Sequence, residues 1–275
     1  MKIKSLRSFI NRVLSCANLK ITNLEVFNKN LEFDRYFGFI NKWKAGKLNP
    51  NFKSFLLENF QDSNSQLQQD LVVDYLFSQE IERKHFFVEF GATDGISLSN
   101  TYYLEKHKNW DGILAEPAKI WHSSLFSNRK VEIDTRAVFA ESNLMLKFTQ
   151  DEIVELSGLS SFKDLSSARK KSLNYEVTTV SLNDLLKFYK APSVIDYLSI
   201  DTEGSELEII EDFDFVATRF RFISIEHNYR EDRKEIREIL SKHGYSNIMS
   251  EFSDFDDWYL HENDLHLLIK IYGPA

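Results

Sequence analysis

From residue 85 onward, apolar runs of four to eight residues alternate with segments of helical periodicity. Runs that short are strands, and strands separated by helical segments imply crossover connections in a largely parallel sheet. The strand runs fall at 86–90, 112–115, 131–138, 194–200, 220–225 and 258–260, with crossover helices at 99–108, 118–128, 206–212 and 232–243. The stretch 144–180 breaks this rhythm and has the look of a hairpin insertion with a loop near 157–161. Upstream, Ser65-Gln-Leu-Gln68 has the form of a capping box, followed by one apolar face of Leu67, Leu71, Val72, Tyr75 and Leu76, so a helix leads into the core.

Residues 1–62 show no strand alternation and form a helical accessory region, leaving 63–275 as the sheet domain. Within the accessory region, Ile3, Leu6, Phe9, Ile10, Val13 and Leu14 recur at helical spacing with Lys2, Lys4, Arg7 and Arg12 between them. This is a basic amphipathic helix. It docks on the domain or on a second copy in a homo-oligomer; a weak hold on a membrane surface or an organellar transit role is the alternative. Asn11, Arg12 and Ser15 interrupt a signal-peptide core, and no apolar run reaches the roughly 20 residues of a membrane span. Cys16 is the sole cysteine, which excludes an intrachain disulfide and a multi-thiolate zinc site and suits a reducing, cytoplasmic setting. With 34 basic against 42 acidic residues the net charge is −8, so a nucleic-acid partner is not expected.

The chemistry concentrates where strands end. In FFVEFGATDG (86–95) a strand carrying Glu89 runs into a turn with Gly91 and Gly95, the kind of first strand-to-helix turn over which an adenosine-containing cofactor sits. The spacing is G-x-x-x-G rather than G-x-G-x-x-G, so the pyrophosphate fingerprint of nicotinamide enzymes is missing. The next strand ends in Glu116, 25 residues beyond Gly91, where an acid can accept from both ribose hydroxyls. A later strand ends at Asp201-Thr-Glu203-Gly204, and another at Glu226-His227, so their acids should face the same crevice and suit a sulfonium cation. Helix capping is an alternative role for Asp201 and Glu203. A neutral His227 at a strand's carboxyl end is a candidate general base.

These segments are joined by QDL (69–71), SNTYYLEK (99–106), WDGILAEP (110–117), NR (128–129), AV (137–138), SGLSSF (157–162) and TTVSLNDLL (178–186), all in order. The series resembles the FkbM family of S-adenosylmethionine-dependent methyltransferases. The resemblance implies a class I methyltransferase fold, Rossmann-like, with a mostly parallel sheet of about seven strands flanked by helices. It also implies S-adenosylmethionine as cofactor. Glu89, Gly91, Asp94 and Gly95 would hold the methionine side, with Asn100 beside them, and Glu116 the ribose. Ala137, following Arg136, would border the adenine, and Asp201 and Glu203 would complete the site. Where the family often has S-T-L, this chain has Ser160-Ser161-Phe162, and residues 1–62 share no motif with it.

The reaction implied is methyl transfer to a hydroxyl, with His227 or Asp201 as base. A divalent ion bridging Asp201 and Glu226 is a variant of the same chemistry, but spacing assigns no metal ligand. A glycan or glycosylated small molecule of polysaccharide or natural-product biosynthesis is the expected acceptor, with Tyr36, Phe37 and Trp43 able to stack on a sugar face or to serve in a core. Rivals are a nucleotide-sugar transferase using Asp254-Phe-Asp256 as a metal-binding D-x-D and a catalytically silent binding module.

Overall fold

The computed structural model describes residues 47–80, 82–162 and 172–274. The basic amphipathic helix and Tyr36, Phe37 and Trp43 lie outside them. One compact unit spans Asn49–Ala275. Its first helix, α1 (Pro50–Asn59), starts on a proline behind Asn49, whose side chain accepts from the Asn51 N–H at 2.9 Å. The rings of Phe52 and Phe55 from α1 meet Tyr75 of α2 (Gln69–Phe77) at 4.8 and 5.0 Å, so residues 49–62 pack with the sheet unit. The expected capping box does not form. Gln68 precedes α2 with φ +58° and no side-chain cap, while Ser63 and Ser65 donate their hydroxyls to Asp70 at 2.8 and 2.6 Å.

The elements that follow are β1 (Phe86–Phe90), α3 (Tyr102–Lys108), β2 (Asp111–Ala115), α4 (Lys119–Asn128), β3 (Glu132–Asp134), β4 (Ala137–Phe139), β5 (Met145–Gln150), β6 (Gly158–Leu159) and β7 (Leu173–Ser181). Then come α5 (Leu182–Phe188), β8 (Val194–Ile200), α6 (Glu206–Glu211), β9 (Arg219–Glu226), α7 (Arg233–Lys242), β10 (Tyr245–Ile248), α8 (Ser250–Ser253), β11 (Asp256–His261) and α9 (Leu268–Tyr272).

Seven strands form the main sheet in the order β10-β11-β9-β8-β1-β2-β3. All neighbours are parallel except β11, which runs antiparallel to both β9 and β10. This is the class I methyltransferase arrangement that the resemblance implied. The chain winds from β1 through β2 to β3 on one side and from β8 to β9 on the other. The crevice between β1 and β8 is therefore the topological switch point, where ligands of open α/β sheets bind. Val88, Phe90, Ile113, Ala115, Leu198 and Ile223 are buried with the apolar residues of α5, α6 and α7 on one face. On the other, Phe87 and Glu89 meet Arg129 at the end of α4.

The run 131–138 is not one strand. Arg136 turns back onto the Asp134 carboxylate, its backbone N–H at 2.8 Å and its Nε at 3.0 Å, and the chain leaves the main sheet. Ala137–Phe139 then joins a second sheet of order β4-β7-β5-β6, built mostly from the 144–180 insertion. The expected loop near 157–161 contains β6, paired antiparallel with β5. Among the described residues, no helix is long and apolar enough to cross a membrane.

Candidate active site

Strand register determines which side chains share the crevice. Phe90 pairs with Ala115 on one side and Ile200 on the other, Ile200 pairs with Ile225, and Glu226 pairs with Asp256. One residue further along the parallel strands, Glu116, Gly91, Asp201 and Glu226 form a single row along the carboxyl edge of the sheet. Because β11 is antiparallel, its first residue, Asp256, extends that row. Above it lies a cavity of about 280 Å³ lined by Glu89, Gly91, Asn100, Glu116, Ala137, Asp201, Glu203 and Glu226, among others.

Gly91 sits in this row because nothing larger fits. Its φ is +77°, and an added Cβ would lie 2.0 Å from the backbone oxygen of Asp201. Glu89, 2 % exposed, spends its oxygens on the segment leading into α3. One accepts the Asn100 N–H at 2.6 Å, and the other the Ser99 and Thr101 hydroxyls. Arg129 backs this cluster, with Nη1 3.7 Å from Glu89 and Nε 2.5 Å from Glu105. Asp94 does not line the cavity; it closes the turn by accepting the N–H groups of Ile96 and Ser97 at 2.8 and 2.7 Å. Gly95 is also behind the cavity, where a Cβ would lie 2.6 Å from the Arg129 side chain. Asn100 lines the cavity: its Nδ2 donates to Ser199 at 2.9 Å, while its buried Oδ1 has no hydrogen-bond partner.

Glu116 is 4 % exposed and accepts the Thr93 and Ala118 N–H groups at 2.8 and 2.7 Å. Burial nevertheless pushes its carboxyl up to about 7, against the pull of those two donors. Beyond it the wall turns apolar, with Ala137, Val138, Phe148 and Leu159 supplied by the second sheet and Trp121 by α4. Arg136 lies outside this lining, held on Asp134.

At the opposite end, burial and the neighbouring Glu226 and Glu203 raise the Asp201 carboxyl well above its usual range. Burial, then Glu203 and Asp256, raise Glu226 as well. Single carboxylate oxygens of Asp201, Glu203 and Glu226 lie within 4.8 Å of one another. The basic side chains nearby are committed elsewhere. Arg230 pairs with Glu206, while Arg233 and Arg237 grip Asp257 at 2.8 and 2.7 Å.

His227 does not share this crevice. It is 1 % exposed behind the end of β9; its Nδ1 accepts the Tyr229 N–H at 2.9 Å, and its Nε2 lies 3.8 Å from Asp257. Burial and Arg233 lower its pKa, which favours the neutral imidazole. Asp254 and Asp256 do not make a D-x-D pair. Asp254 is exposed and accepts the Tyr229 hydroxyl at 2.9 Å, whereas Asp256 is buried in β11 and faces Gln69 at 3.3 Å. Trp121, Asn228 and Phe255 line the cavity without a sequence motif that marks them. Asp256 was legible only as half of a surface motif, because it begins its strand.

The fit to S-adenosylmethionine follows from the donor set. An apolar slot suits an adenine, the Glu116 carboxylate a ribose diol, the free Asn100 oxygen an ammonium, and the acids at the far end a sulfonium.

No curated protein matches the chain by sequence. Among solved structures, methyltransferase FkbM from Methylobacillus flagellatus KT is similar over 69 % of this chain, at 13 % identity and a TM-score of 0.41. The chain spans about half (47 %) of that protein's length. The ribosomal protein L11 methylase of Lactobacillus delbrueckii subsp. bulgaricus matches at 9 % identity over 70 % of this chain and 76 % of its own, TM-score 0.36. The N-terminal domain of human METTL16 in complex with SAH matches at 13 % identity over 69 % and 66 %, TM-score 0.37. The family model of the methyltransferase FkbM domain matches residues 89–246, a span that runs from the Glu89 clamp through Glu116, Asp201 and Glu226 into β10, and the chain belongs to that methyltransferase family.

Proposed function

We propose that this protein binds S-adenosylmethionine in the crevice at the switch point and transfers its methyl group to a hydroxyl. The observation that carries the reading is the row of Glu116, Gly91 and Asp201 along the carboxyl ends of β2, β1 and β8. Glu116 accepts from the ribose, Asn100 takes the ammonium, and the second sheet encloses the adenine in apolar surface. The cofactor supplies an electrophilic methyl on a sulfonium, so the protein's work is alignment, desolvation and proton removal.

Those tasks fall to the acid end. An acceptor hydroxyl placed against Asp201 gives its proton to the carboxylate as the oxygen–methyl bond forms. The cofactor, held by Glu116 and Asn100, would supply the methyl group and leave as a neutral thioether that keeps the electron pair of the sulfur–methyl bond. Asp201 is thus the base the geometry supports, rather than the enclosed His227. The acceptor class, a glycan or glycosylated small molecule, follows from the family resemblance.

Calorimetric titration with S-adenosylmethionine and S-adenosylhomocysteine tests the cofactor, and transfer of a labelled methyl group to a panel of hydroxylated and amino acceptors tests the chemistry. Saturable binding that Glu116→Ala abolishes, with label on oxygen, is the expected outcome. Binding without transfer to any acceptor marks a silent relative; label found only on nitrogen overturns the hydroxyl reading.

A further inference from the structure

We infer that Asp201, Glu203 and Glu226 form a divalent-cation site at the acceptor end of the cavity, taking a hard ion such as Mg²⁺ or Mn²⁺ that holds the acceptor's hydroxyl oxygen. The inference deepens the proposed methyl transfer and rests on it for the acceptor, but the ion site itself stands on geometry. One oxygen from each carboxylate lies within 4.8 Å of the others. Oxygens around a single ion at about 2.1–2.4 Å stand roughly 3–4.8 Å apart, so small side-chain rotations would close the shell. An all-oxygen set with no nitrogen or sulfur selects Mg²⁺, Mn²⁺ or Ca²⁺.

A second observation points to a missing ligand. Glu226 is 9 % exposed and lines the cavity, and its Oε2 is buried with no hydrogen-bond partner. A buried carboxylate oxygen needs a proton, a donor or a cation. The basic side chains nearby are already paired, Arg230 with Glu206 and both Arg233 and Arg237 with Asp257. The register reinforces the need: Asp201 and Glu226 are adjacent on parallel strands, and Asp256 faces Glu226 across an antiparallel pair. Like charges directly opposite one another destabilise a sheet, and a divalent ion beside Glu226 would offset part of that repulsion. Three protein oxygens leave positions open for water and the acceptor, and an ion-bound hydroxyl loses its proton more readily. The proton so released would pass to the Asp201 carboxylate.

Mn²⁺ titration followed by the loss of the free-ion electron paramagnetic resonance signal tests the site with the metal alone. One saturable site is expected, weakened at least about tenfold in Asp201→Asn and in Glu226→Gln, and unchanged in Asp111→Asn, an acid remote from the cavity. The two amides are isosteric and remove a buried charge, so the variants should fold, and thermal melting checks it. Wild-type protein without saturable Mn²⁺ binding, or binding that survives both amide substitutions, overturns the site. S-adenosylhomocysteine titration of the same preparation separates the two readings: a protein that binds it but not Mn²⁺ loses the cation site and keeps the cofactor site.

Discussion

A methyl group added to Gly91 would stand 2.0 Å from the backbone oxygen of Asp201, on a residue whose φ is already +77°. The contact spans β1 and β8, the two strands that bound the switch point. Since the obstacle is backbone, no side-chain rotation relieves it. Gly244 offers the matched comparison: φ is +82°, but its added Cβ would meet the movable Glu262 side chain at 3.2 Å. Gly244→Ala should cost about 1 kcal/mol, the ordinary penalty of a left-handed alanine. Gly91→Ala should cost about 3 kcal/mol or more and abolish S-adenosylhomocysteine binding. Denaturant midpoints at unchanged slope measure both, and equal costs would contradict the close approach.

If Glu116 holds the ribose, as proposed, the affinity for cofactor depends on pH. Its carboxyl rises from 4.5 to about 7 in the folded chain, so the native state holds a proton that the unfolded state has released. Stability therefore falls as pH climbs from 4.5 to 7 and is flat above, by about 3 kcal/mol for this one group. A ribose diol donates to the ionised form and pulls the pKa back down. Cofactor binding between pH 6 and 7 should then release a proton, visible as a dependence of the calorimetric enthalpy on the buffer's ionisation heat. Glu116→Gln should abolish this component and bind weakly at every pH, while the free variant is at least as stable as wild type at neutral pH. Proton release that persists unchanged in Glu116→Gln places the ribose elsewhere.

Arg129 is the internal counter-ion of the cofactor turn. Its guanidinium reaches Glu105, Glu89, the Ser99 hydroxyl at 3.1 Å and the Thr101 hydroxyl at 2.9 Å. Arg129→Met leaves the buried Glu89 without its cation and takes one of two cations from Glu105, which keeps Lys106 at 2.7 Å, and should cost about 3 kcal/mol. Arg129→Lys keeps the charge but not the fork of donors, so it should recover only part of that. Thermal unfolding of both variants checks the order; a Met variant as stable as the Lys variant would show that the charge carries no weight.

The main sheet was legible because its strands are buried on both faces and therefore written as unbroken apolar runs, and Glu116 and Asp201 were legible because each ends such a run. Register was not written in any motif, so the alignment of Gly91, Glu116, Asp201 and Glu226 into one row emerged only from pairing. β10 escaped notice because Tyr245–Ile248 is half polar, with Ser246 and Asn247 exposed between its two buried ends. α5 was not among the expected helices, although Ser181 three residues ahead of Asp184 marks its start, and the Ser181 hydroxyl accepts the Asp184 N–H at 3.2 Å. The Ser65 box failed because a nearer acid, Asp70, took its hydroxyl. Asp256 was obscured by direction: on the antiparallel strand, the first residue rather than the last reaches the active edge.

His227 and Asp201 were equal candidates for the base on sequence grounds, since each lies at the end of a parallel strand. Their surroundings separate them. Asp201 lines the cavity, whereas His227 is sealed behind β9, its Nδ1 accepting from the Tyr229 N–H and its Nε2 near an Asp257 already held by two arginines. Replacing His227 with alanine removes one buried acceptor and should cost about 1–2 kcal/mol of stability. Affinity for S-adenosylhomocysteine and the rate of methyl transfer should each stay within about threefold of wild type, because no ligand atom depends on the ring. Asp201→Asn keeps the shape of the site and should lower the transfer rate about a hundredfold or more, the scale of a lost general base. Single-turnover transfer at saturating cofactor, with folding verified by melting, measures both variants. A collapse of transfer in His227→Ala with cofactor binding intact would return the base to histidine and imply that the end of β9 rearranges when the acceptor binds.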